Sequence, residues 1–156
     1  LEKKVLTLTV IHDNEKILLG MKKRGYAAGR WNGFGGKLTP GESVEEGMLR
    51  ELNEESSLIA TDYEKIGVLT FDSEDEDYIQ EVHLFRINEY DGEPIETEEM
   101  RPQWFPFADI PYSEMWSDDL IWLPLVLDGH KVQGSIHFKN SNMIKSHSIA
   151  TVAELG

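Results

Sequence analysis

The chain of 156 residues is 40% hydrophobic and 28% charged, which suits one globular domain over residues 1–156 and excludes a disordered tail. Its 15 Lys and Arg against 29 Asp and Glu give a formal charge of −14, which argues against a nucleic-acid polymer as partner, since such binding rests on cationic side chains displacing counterions. Cysteine is absent, removing disulfides, thiolate metal sites and a thiol nucleophile; no apolar run reaches membrane-spanning length and the start has no signal-peptide pattern, so a soluble, cytoplasmic monomer without a membrane partner is expected.

In chain order, residues 4–11 are β-branched and alternate, predicting a strand, and residues 16–21 predict a second, joined by a turn at Asp13-Asn14. Glycines at 25, 29, 33, 35, 36 and 41 then mark a long structured loop with room for short strands. Residues 43–56 read as a helix: Ser43 and Glu46 form a capping box, and Val44, Met48, Leu49 and Leu52 make an apolar face. A strand pair is expected at 65–71 and 79–87, flanking the acidic run 72–77, followed by a strand at 101–105, a helix at 118–127 and a strand at 132–138. The tail after Asn140 is polar and carries no clear pattern. Irregularly ordered strands with few helices indicate an α+β fold with a mixed sheet flanked by helices.

Chemistry concentrates on the first helix. Glu51, Glu54 and Glu55 are spaced to share one helical face, where like charges destabilise unless something compensates. A Mg²⁺ ion held by a few carboxylates and completed by substrate phosphates would do so; a solvated acidic face with Arg50 as local ion pair is the plainer alternative. Gly47 lies on the same helix, and a close backbone approach by the glycine loop would explain a costly mid-helix glycine. The Gly33–Gly36 run lacks the Lys-Ser/Thr of a P-loop, the 72–77 run lacks the glycine of an EF-hand, and the histidines lack metalloprotease spacing.

Gly36, Glu42, Arg50, Glu51, Leu52, Glu54, Glu55 and Leu58 resemble the Nudix box, which is a glycine, five residues, Glu, seven residues, then Arg-Glu-apolar-any-Glu-Glu-any-Gly-apolar. Ser57 stands where the box has its final glycine, which would end the helix left-handed; serine adopts that conformation at a cost of roughly 1 kcal/mol, so some strain or a shifted cap is expected. Gly20 to Gly25, Trp31 to Lys37, Glu99-Met100-Arg101-Pro102 and Met115 to Asp119 are similar to the MutT-homologue enzymes that act on oxidised purine nucleotides.

The resemblance implies a Nudix fold, a mixed β-sheet sandwiched between α-helices. It also implies Mg²⁺-dependent hydrolysis of an oxidised purine nucleoside triphosphate, such as 8-oxo-dGTP or 2-oxo-dATP, to monophosphate and pyrophosphate, with Mn²⁺ as a substitute ion. The metal set would be Gly36, Glu51, Glu54, Glu55 and Glu99, with one of the glutamates activating water and Arg50 orienting a carboxylate. The nucleotide, a small-molecule substrate, would meet Thr7, Lys22, Tyr26, Asn32, Phe71, Trp116, Asp118 and Asp119. Six of the eight have a plainer role: Lys22 as an exposed strand-end lysine, Asn32 as a turn residue, Trp116, Phe71 and Tyr26 as packing, Asp118 as a helix cap. Adjacent carboxyls at Asp118 and Asp119 in a poorly solvated pocket would not both ionise, so together they could offer a donor and an acceptor to a purine edge. A Nudix hydrolase of another nucleoside diphosphate derivative, and a non-catalytic nucleotide-binding module, stand as alternatives.

Overall fold

A computed structural model describes residues 1–156. Nine strands form one mixed sheet: β1 (Glu2–His12), β2 (Lys16–Lys22), β3 (Trp31–Asn32), β4 (Phe34–Lys37), β5 (Ile59–Ser73), β6 (Tyr78–Asp91), β7 (Met100–Pro106), β8 (Lys131–Asn140) and β9 (Met143–Val152). The path runs β3-β2-β1-β6-β5-β8-β9, with β4 on β1 and β7 on β2. β1 is shared between neighbours: Leu6–Thr9 pair with β4, Ile11 and His12 with β2, and the strand runs parallel to β6. No helix is long and apolar enough to cross a membrane.

Helix α1 (Val44–Ser56) has both bonds of its expected capping box: Glu46 N–H donates to Ser43 Oγ (3.1 Å) and Ser43 N–H to the Glu46 carboxylate (3.0 Å). Ser57 ends it in the left-handed region (φ 68°) with its N–H on the Asn53 carbonyl, so of the two expected outcomes the strained backbone holds and the cap is not shifted. α1 covers one sheet face with Met48, Leu52, Leu58, Phe34 and Phe85, and α2 (Asp119–Leu127) covers the other with Trp122, Leu123, Val126, Leu84 and Ile136. The mixed sheet is thus sandwiched between helices, as the resemblance implies.

Several expectations need correction. Gly47 is not approached by loop backbone; a Cβ there would collide with the Leu38 side chain and crowd Glu42. The strands expected at 65–71 and 79–87 extend to Ile59–Ser73 and Tyr78–Asp91, because register shifts between Ala60 and Asp62 and between Lys65 and Gly67 break the alternation. The polar tail is strand β9, which pairs with β8 at the sheet margin and needs little apolar sequence because most of its residues are exposed.

Candidate functional site

The carboxylate end of the site is built where α1 crosses β4. A Cβ at Gly35 would strike the Thr7 carbonyl, so only glycine lets β4 lie this close to β1. Gly35 N–H donates to Glu55 Oε1 at 2.8 Å, and a Cβ on Gly36 would stand 2.8 Å from Glu51 Oε1, so both carboxylates lie against the same glycine strand. Arg50 forks onto Glu42 (2.7 and 3.0 Å), reaches Glu51 Oε1 (3.0 Å) and Glu54 Oε2 (3.2 Å), and caps the Lys37 carbonyl (3.1 Å). Every bond its side chain makes is thus to a carboxylate or a carbonyl, and it holds the Glu42 carboxyl down at about 2. Burial pushes Glu55 up to about 7, opposed by Gly35 N–H and Lys22, while the charges of Glu51 and Glu99 push the same way.

Glu54 lies outside this pair: it is more exposed than Glu51 and Glu55 and faces Arg50. Glu99 approaches from the strand side, held by Arg24 (2.6 Å) and Lys22 (3.5 Å), and Arg24 keeps its carboxyl below the ordinary value. Lys22 Nζ also stands 3.9 Å from Glu55 Oε2, bridging the two acids. No three acidic or imidazole side chains converge on one point. Two carboxylates beside the Gly36 backbone nevertheless suit a divalent cation: the donors are hard oxygens, and Glu55 is a buried acid surrounded by like charges.

A cavity of about 290 Å³ leads from this end, at Gly35, Gly36, Glu55 and Lys22, to a recess on the α2 side of the sheet. All eight residues expected to meet the nucleotide line it: Thr7, Lys22, Tyr26, Asn32, Phe71, Trp116, Asp118 and Asp119. Asn32 Oδ1 accepts from Gly33 N–H (2.9 Å), and the Thr7 hydroxyl is buried without a partner. Asp118 does not cap α2 with its side chain; its Oδ2 accepts from Trp122 Nε1 at 2.8 Å. Asp119 is 2% exposed and its Oδ2 has no partner. Burial pushes both carboxyls up; the Trp122 bond opposes this at Asp118, and the like charge of Asp118 adds to it at Asp119.

Other lining residues escape the sequence reading. Trp122, one helical turn after Asp118, carried a legible i,i+4 signal; Arg30, Phe138 and Ser141 carried none, because they arrive from remote segments. The acidic run 72–77 also lines the cavity, through Asp72, Asp75 and Glu76, with Asp72 bonded to His137 at 2.8 Å.

Residues 3–126 match the NUDIX domain. The chain is 45% identical over 152 residues to the oxidized purine nucleoside triphosphate hydrolase of Danio rerio, covering 97% of both chains. It is 43% identical over 149 residues to the Mus musculus protein of that name, covering 96% of both. Among solved structures, a MutT protein from Bacillus halodurans superposes with a TM-score of 0.82 at 24% identity, over 94% of this chain and 97% of that one, a likeness of fold.

Proposed function

The chain belongs to the NUDIX family and is a Nudix hydrolase, and from that premise we propose that it hydrolyses oxidised purine nucleoside triphosphates to monophosphate and pyrophosphate, clearing damaged bases from the nucleotide pool. One observation carries the reading: a single cavity joins a carboxylate-rich end at Glu55 and Gly36 to a recess floored by two buried, adjacent aspartates.

Nudix hydrolases use divalent metal ions; here the ion is Mg²⁺, replaceable by Mn²⁺. Glu51, Glu55 and the Gly36 carbonyl would hold it, with Glu54 or Glu99 joining them or taking the proton from attacking water. When bound, the ion neutralises charge developing on the phosphates. Arg50 fixes the Glu51 and Glu54 carboxylates, and Lys22 moves from Glu55 and Glu99 to a phosphate oxygen. At the other end Trp116 stacks on the base and Asn32 meets its edge. Asp119 holds a proton and donates, while Asp118 accepts; exchanging that proton lets one pocket read guanine-like and adenine-like oxidised edges.

The test is pyrophosphate release from 8-oxo-dGTP, 2-oxo-dATP, dGTP and ADP-ribose, compared as kcat/KM. A strong preference for the two oxidised triphosphates is expected; preference for ADP-ribose would keep the hydrolase and overturn the base pocket.

A further inference from the structure

Trp116 sits in the short connection between a 3₁₀ turn (Tyr112–Glu114) and α2, and a loop tryptophan has no regular hydrogen bonding to fix its plane. Arg30 supplies what the loop lacks. Its guanidinium carbon stands 4.2 Å from the Trp116 ring centroid, covering one indole face. One arm of the fork donates to the Met115 carbonyl (3.2 Å), the other to Asn142 Oδ1 (2.8 Å) at the tip of the β8–β9 hairpin. The backbone behind it is anchored too, since Lys22 N–H donates to the Arg30 carbonyl (3.0 Å). Tyr26, the other aromatic neighbour at 5.6 Å, is 73% exposed and makes no hydrogen bond. It can yield to an incoming base, whereas Arg30, held at both ends, cannot.

We propose that Arg30 is a positioning residue for substrate selection: it sets the plane of Trp116 and ties the 115–119 segment, with its two aspartates, to the C-terminal hairpin, so that the hairpin closes the base recess. Both arms of its fork are engaged with protein, so it acts through Trp116 and not on the nucleotide. Phe138 and Ser141, flanking the same hairpin tip, line the cavity, which gives the hairpin a direct part in the recess that Arg30 closes. The inference rests on the oxidised-purine reading of this cavity.

The experiment measures kcat and KM for 8-oxo-dGTP, with thermal melts, on wild type, Arg30→Ala, Arg30→Lys, Asn142→Ala and the Arg30→Ala/Asn142→Ala double variant. Arg30→Ala is expected to raise KM by about three- to thirtyfold, the range for a partly desolvated cation–π contact, with kcat within about twofold. Arg30→Lys recovers part of that loss, keeping a cation over the ring without a fork for two acceptors. Asn142→Ala raises KM less, and adds little on top of Arg30→Ala. If Arg30→Ala melts below the assay temperature, Arg30→Lys and Asn142→Ala decide the question. Unchanged KM in the folded variants, or a fall in kcat alone, overturns the role of Arg30 while leaving the substrate intact. A wild type that does not cleave 8-oxo-dGTP overturns the substrate reading instead, and this inference with it.

Discussion

Asp119 is buried with an oxygen that nothing in the protein bonds, and burial beside Asp118 holds its carboxyl well above the ordinary value. An acid raised in this way binds a proton in the folded state that the unfolded chain has already lost above about pH 3.9, so stability falls as pH climbs from there through the folded value. Asp119→Asn removes that slope. Its urea midpoint should pull ahead of wild type as pH rises, by up to about 1.4 kcal/mol per pH unit until the folded carboxyl titrates, while kcat/KM on oxidised purines drops. A gap that stays constant with pH would mean Asp119 is ionised in the fold. Glu55 is the corresponding residue at the proposed hydrolytic end, bonded by Gly35 N–H and pushed up by burial to about 7. Glu55→Gln keeps the shape and removes the charge, so turnover should fall by about 10²–10³-fold, the scale of losing one preorganised electrostatic group, with the melting temperature held or raised. Full turnover in that variant would take Glu55 out of the metal site.

Among the elements, α1 was the most legible, because its signals are local: a cap at Ser43, a returning glutamate at Glu46 and an apolar stripe within one turn of each. Its end departs from the box, and Ser57 takes a left-handed backbone at φ 68°. Ser57→Gly should therefore stabilise the protein by about 0.5–1 kcal/mol, less than the full left-handed cost because glycine also loosens the unfolded chain. A denaturation midpoint at or below wild type would mean the serine is unstrained. The strands were less legible for the opposite reason. The short β3 and β4 are held by partners β2 and β1, not by their own composition, and glycines that look like loop residues are required at 33 and 35 by close contact with β1. β9 hid because it is a margin strand with a polar sequence, and the bulges in β5 erased its alternation.

At the scale of the whole molecule, charge and assembly both bear on the substrate. A body of net charge −14 repels a triphosphate at long range, although Lys22, Lys23 and Arg24 line up near the carboxylate end and pair with Glu96, Glu98 and Glu99. Raising ionic strength from about 0.01 to about 0.15 M shrinks the screening length from roughly 30 to roughly 8 Å, so kcat/KM at saturating metal should rise. A steep fall would show that the local lysines and arginine govern the encounter. The candidate site divides into residues contiguous in the chain and residues gathered only by folding. Most of its proposed hydrolytic half lies in residues 35–55, one contiguous stretch legible through its resemblance to the Nudix box, and only folding adds Lys22 and Glu99 to it. The recognition half is drawn from β1, the 26–32 loop, the 116–122 segment and a hairpin tip near residue 141, and only folding brings these together. That division has an evolutionary corollary. Changes at 116–119 or at the hairpin tip could turn the enzyme towards another nucleobase while the glycine strand and its helix go on splitting phosphate bonds, so descendants can acquire a new cargo without rebuilding the catalyst.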